Sequence, residues 1–150
     1  MGFVFARRFD DAIDHAKRTL LVSPAYGRYY WLGQCYEQKG LPDQAIHYYL
    51  QTWSGIPEEV PLRRAAYQEG GLRGYWQEDE RLRRRREEKI DPVFQAMYHA
   101  HTGENNKAIE QLQLAYQQHV DGLQFLRVEP VYDRLRSDRR FKELLTRLGL

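Results

Sequence analysis

The chain has 150 residues and a formal net charge of +2, with 29% charged and 13% aromatic side chains. That length carries one continuous core, the near-neutral balance supplies no field to draw in nucleic acid or an anionic membrane, and the aromatic content with few Ser and Thr excludes a disordered chain. There is no apolar run of about 18 residues, residues 1–5 are too short for the apolar stretch of a secretory leader, and Cys35 has no partner for an internal disulfide, so a cytoplasmic chain without membrane attachment is expected.

In residues 9–22, FDDAIDHAKRTLLV, Phe9, Ala12, Ile13, Ala16 and Leu20 fall on one helical face. Asp10 and Asp11 sit in the first turn, on the favourable side of the macrodipole, and Pro24 follows the helix. Only residues 2–8 remain for a partner helix before it. The expected result is an uncovered apolar edge at the N-terminal helix, open to a preceding segment or to a second copy of the chain as a homodimer.

Residues 25–38 and 42–53 read as a helix pair. Between them Lys39-Gly40-Leu41-Pro42-Asp43 stops one helix with glycine and starts the next with proline in its first turn. Gly33 and Ala45 are small where two helices must cross at roughly 8–10 Å between axes, and Tyr36 and Tyr49 fill the space around that crossing. Cys35 lies among these packing residues and is expected to be a buried, inert thiol. Ser54-Gly55-Ile56-Pro57 then breaks the chain.

A degenerate unit follows: a helix over 58–69 with Pro61 in its first turn, an interruption at Gly70-Gly71, and a second helix over 72–89 opened by Leu72, Tyr75 and Trp76. Gly70, Gly71 and Gly74 imitate a phosphate loop, but no strand precedes them and a helix break is expected. In 92–120, Ala96, Gly103, Ala108, Leu112, Ala115 and Tyr116 repeat the small and large positions of the earlier pair, and Glu104 brings a negative charge to the second helix N-terminus. Beyond lie two short apolar turns and a helix over 138–148, with Ser137 as its expected N-cap. Phe141, Leu144, Leu145 and Leu148 form a stripe that would dock back on the array.

Together, Tyr29, Leu32, Gly33, Tyr36, Ala45, Tyr49 and Pro57 resemble the tetratricopeptide repeat, W-x2-L-G-x2-Y…A-x3-F…P, with Tyr at the Trp and Phe positions. The resemblance implies an all-α fold, a right-handed superhelix of antiparallel helix pairs with a C-terminal capping helix. As one domain it divides into a partial repeat (1–24), a clear repeat (25–57), a degenerate repeat (58–90), a further repeat (91–120) and the cap (121–150). The stretches GLRGYW, AIEQLQLAY and QFLRVEPVYDRLRSDRRFKELLTRLGL narrow it. They resemble the C-terminal tetratricopeptide regions of bacterial winged-helix regulators, receptor-like Ser/Thr kinases and adenylate cyclases, departing at Arg139, where proline is common. What this implies is a non-catalytic scaffold or sensory module that binds a protein or peptide in a regulatory or signalling system.

Such arrays turn the first helix of each pair to the concave side. The candidate peptide groove is therefore Tyr30, Trp31, Gln34, Glu37 and Gln38, then Arg63, Arg64 and Gln68, then Val93, Met97, Ala100 and His101. An aromatic and apolar groove with two arginines suits a peptide carrying an apolar anchor and an acidic group. The same spacing lets Tyr30 and Trp31 pack between neighbouring helices instead. The Lys and Asn set with which some relatives clamp a C-terminal carboxylate is missing.

A second reading places nucleic acid on Arg81 and Arg83 to Arg86. Over 78–89, however, six basic residues meet five acidic ones, and Glu80 and Arg84 are spaced i, i+4, so a solvated helix face is expected. His99 and His101, two apart, point to nearly opposite helix faces. With no phosphate loop, no nucleophile motif and no ligand cluster, neither metal nor cofactor nor catalysis is expected.

Overall fold

The structure, a computed structural model, describes residues 8–22, 26–53 and 55–150. The breakers expected at Pro24 and Ser54, and the short segment before Arg8, lie outside these residues. Among the described residues every regular element is a helix. Two compact units divide the chain, Met1–Glu78 and Asp79–Leu150.

The first unit begins with α1 (Phe9–Val22) laid on α2 (Tyr26–Gln38). Ala12 and Ile13 are buried together with Leu32 and Cys35, and Phe9, Ala16, Leu20 and Trp31 pack around them. The apolar stripe of α1 is thus seated on α2, not bare as expected, and Tyr48 of the following helix packs against the same cluster. The opposite side shows Asp10, Asp11, Asp14, His15 and Arg18 to solvent, and Leu21, 88% exposed, is the apolar exception.

α2 turns into α3 (Pro42–Gln51) through Gly40, whose φ of 70° lets Leu41 N–H donate to the Tyr36 carbonyl and Gly40 N–H to that of Glu37, both at 2.9 Å. This left-handed cap is the one the sequence predicts. Where the two helices cross, a Cβ on Gly33 would stand 2.4 Å from the Tyr49 ring. Glycine is there because the ring occupies the space of a methyl group.

After a 3-10 turn at Pro57–Glu59 comes α4 (Val60–Arg85), which breaks at Gly71 with φ 60° and ψ −153°, a conformation that only glycine adopts readily. Beyond the break, a Cβ on Gly74 would meet the Ala66 carbonyl oxygen at 2.3 Å. Residues eight apart on one straight helix are about 12 Å apart, so the chain folds back sharply at Gly71. The expected interruption is present, and just beyond it the bare Cα of Gly74 lets backbone touch backbone. The helix ends at Arg85, short of the predicted Lys89, because Glu87 turns left-handed with φ 57° and Glu88 N–H closes on the Arg83 carbonyl.

The second unit opens with the last part of α4 and continues through α5 (Pro92–Thr102), α6 (Asn105–Gln117), 3-10 turns at Leu123–Phe125 and Pro130–Leu135, and α7 (Arg139–Arg147). Asp91 caps α5, accepting from Val93 N–H at 2.9 Å and Phe94 N–H at 3.0 Å. Gly103 (φ 79°) closes that helix. Ala96, Ala108, Ile109, Leu112 and Ala115 form the core with Leu126, Leu135, Phe141 and Leu144, so α7 docks its stripe on α6 as expected. Its N-cap is Asp138, not Ser137. The Asp138 carboxylate accepts from Arg140 N–H at 2.8 Å and is also gripped by the Arg140 guanidinium, which holds its carboxyl down at about 2.

Candidate functional site

The predicted groove residues of the first unit belong largely to an aromatic interior. The Tyr30 ring lies 5.3 Å from Trp31, 6.1 Å from Tyr49 and 6.5 Å from Trp76, and its hydroxyl accepts from Gln34 Nε2 at 2.7 Å. Tyr49 stacks on Tyr75 at 5.4 Å and donates to Glu37 at 2.6 Å. Burial first, and then the charge of Glu37, push the Tyr49 phenol well above its ordinary range.

Arg63 is buried beneath Trp53, with its guanidinium carbon 4.0 Å from the ring centroid and Nη1 bonded to Glu59 at 2.8 Å. Cation–π attraction and a nearby carboxylate together make this burial tolerable. Gln34 and Arg63 have no exposed surface, which corrects their placement as groove contacts. Both hold the interior in place. Trp31, Glu37 and Gln38 remain half-buried.

Arg64 and Gln68 are exposed and line an open groove of about 530 Å³ with Pro57, Val60, Pro61 and Ala65. The prolines wall the groove because a 3-10 turn runs directly into the helix, placing Pro57, Pro61, Arg64 and Gln68 one turn apart on one face. Sequence reasoning found the two polar members and missed the apolar wall. The signal was the i, i+3, i+4 spacing from Pro57, where the proline reads only as a stop.

In the second unit Val93 and Met97 pack against the core, Ala100 is buried, and His101 is half-buried. The Val93 carbonyl accepts from the Tyr132 hydroxyl at 3.4 Å. Between Val93 and Ala96 on α5, Phe94 is 47% exposed, with the Arg83 guanidinium 6.0 Å from its ring.

Acids answer three members of the arginine run. Arg83 binds buried Asp79 at 3.3 Å and Glu88 at 3.2 Å, Arg84 binds Glu80 at 2.7 Å, and Arg86 binds Glu88 at 2.8 Å. Asp79 also accepts from the Tyr98 hydroxyl at 2.5 Å. The expected i, i+4 pair is present, while Arg83 and Arg86 are only partly solvated.

Among the described residues no group of His, Cys, Asp and Glu is arranged to hold a metal ion, and His99 instead meets Glu104 at 2.9 Å. Burial keeps the Cys35 thiol protonated, pushed up to about 11. Among the described residues no helix is long and apolar enough to cross a membrane. No protein-family model matches the chain, nor does any curated protein or solved structure.

Proposed function

We propose that this chain is a non-catalytic protein-interaction module of tetratricopeptide type, its helix pairs stacked as a right-handed superhelix, serving a bacterial regulatory or signalling system. The groove along the start of α4 receives an extended or helical segment of a partner protein. The observation that carries this reading is the groove's make-up: an apolar floor of Pro57, Val60, Pro61 and Ala65, with Arg64 exposed at the rim and engaged in no hydrogen bond or ion pair among the described residues. An apolar anchor would gain about 25 cal/mol per Å² of buried surface before the cost of association, and an acidic group beside it would meet Arg64.

The nucleic-acid alternative on Arg81 to Arg86 is the weaker reading, because Arg83, Arg84 and Arg86 are already paired with acids and guanidiniums so neutralised release few counterions on contact with phosphate. Self-association through α1 is weaker too, given its charged outer face.

The test places a photo-crosslinking residue at Gln68 and, as a control, at exposed Lys142, followed by mass spectrometry of adducts formed in the source cell. The expected result is a discrete set of protein adducts at position 68 that is lost with Arg64→Glu. Adducts identical at both positions, or indifferent to Arg64→Glu, would remove the groove from the reading.

A further inference from the structure

A second cavity, of about 250 Å³, lies within the second unit between α6 and α7, lined by Gln113, Tyr116, Gln117, Arg140, Glu143, Leu144 and Arg147. We propose that it is a carboxylate pocket that takes one aspartate or glutamate side chain of a partner protein. It is separate from the α4 groove and does not depend on it.

Four of its polar side chains, Gln113, Tyr116, Gln117 and Arg147, make no hydrogen bond or ion pair among the described residues. Polar side chains converging on one cavity without partners are the usual mark of a site that fixes a ligand's orientation. Arg140 is already set. Its Nη2 donates to Asn106 Oδ1 at 2.7 Å and to Asp138 Oδ2 at 2.9 Å, and its Nε donates to Asp138 Oδ1 at 3.2 Å, which leaves Nη1 for an incoming oxygen. Little rotamer entropy is then lost on binding. The Glu143 carboxylate also lines the cavity and is itself bound by Arg139 Nε at 2.7 Å. Leu144, 2% exposed, and the Tyr116 ring give the methylene stem of an acidic side chain an apolar floor.

Size and charge choose among anions. The cavity is smaller than the roughly 300–1,000 Å³ of small-molecule sites, so it fits a single side chain. With their bonded neighbours counted, Arg139, Arg140 and Arg147 stand against Asp138 and Glu143, a net of one positive charge that suits a monoanion and opposes a phosphate dianion. Guanidinium groups also match carboxylates in planar, two-pronged geometry.

The test is a ¹H–¹⁵N titration of the full chain with acetyl-Ala-Glu-Ala-amide, with its Gln counterpart, and with inorganic phosphate. The Glu peptide is expected to move the side-chain amide signals of Gln113 and Gln117 and the Nε–H of Arg147, with the Gln peptide at least about tenfold weaker. Arg147→Gln, at an exposed position without partners, should leave the spectrum folded and weaken the Glu peptide about tenfold. The proposal is overturned if the Glu peptide moves none of these signals, if both peptides bind alike, if Arg147→Gln binds undiminished, or if phosphate binds more tightly than the Glu peptide.

Discussion

The hairpins α2–α3 and α5–α6 follow one plan with different fillings. Seven residues before each turn glycine stand Gly33 and Ala96, five after stand Ala45 and Ala108, and nine after stand Tyr49 and Leu112. Apart from Gly33, each of these six is 0% exposed, and Gly33 is buried as well. Where the large residue is tyrosine its small partner has no Cβ, and where it is leucine an alanine fits. The crossing therefore fixes the combined volume of the two residues, not the identity of either. The tyrosine brings a hydroxyl that needs a partner, supplied by Glu37, while the equivalent place in the other hairpin, three before the turn, is Ala100.

The sharpest way to break this comparison is Gly33→Ala. A methyl 2.4 Å from the Tyr49 ring should cost about 1–3 kcal/mol of stability or more. Adding Tyr49→Leu, which copies the second hairpin's pairing, should make the double variant more stable than the sum of the two single losses. Trp31, Trp53 and Trp76 account for all the tryptophan in the chain and fall in the first unit, so urea unfolding followed by indole fluorescence reads this region directly. Strict additivity would show that the two positions do not share one space.

A smaller effect concerns how helices stop. Both hairpin turns use glycine at the left-handed residue, but α6 ends on exposed His119 with φ 53°. His119→Gly should stabilise the chain by about 1 kcal/mol in the same urea series followed by circular dichroism, and a loss would mean that the imidazole makes an interaction worth more than the strain.

The smallest effect separates the hairpins by pH. The residue after the turn glycine is Leu41 in one and Glu104 in the other. Hydrogen bonds from Lys107 first, then His99 and Thr102, hold the Glu104 carboxyl down at about 2. Because the folded value lies below the unfolded one, the stabilisation is complete above an ordinary carboxylate pKa of about 4.3 and is lost as pH falls toward 2. At 36% side-chain exposure, solvent screening keeps it modest. Glu104→Gln should flatten the stability profile between those limits, and an unchanged profile would assign acid sensitivity to other carboxylates.

The hairpins were legible in the sequence because glycine, proline and small residues mark turns and crossings in the chain itself, as at Gly33, Gly40 and Gly103. Depth was less legible. Helical spacing assigns Gln34 and Arg63 to a face, and their polarity argues for solvent, yet Gln34 goes inside with Tyr30 one turn before it, and Arg63 finds Trp53, a partner that only folding brings near. Ser137 and Asp138 are both good caps by type, and the added grip of Arg140 on the carboxylate decides between them. Of the candidate groove, Arg64 and Gln68 were readable as a polar pair on a helix, but the wall they share with Pro57 needed a turn that the sequence shows only as a break. The α6–α7 cavity left no local trace, since its two sides are more than twenty residues apart.

Cys35 offers one further use. It is the single thiol of the chain, lies 1% exposed against α1, and is kept protonated by its surroundings. The thiolate is the nucleophile that attacks an alkylating reagent, so modification must wait until α1 lifts away from α2. The rate at which the intact chain gains one reagent mass under native conditions is then a clock for the opening of that contact, and a partner that braces the first unit would slow it.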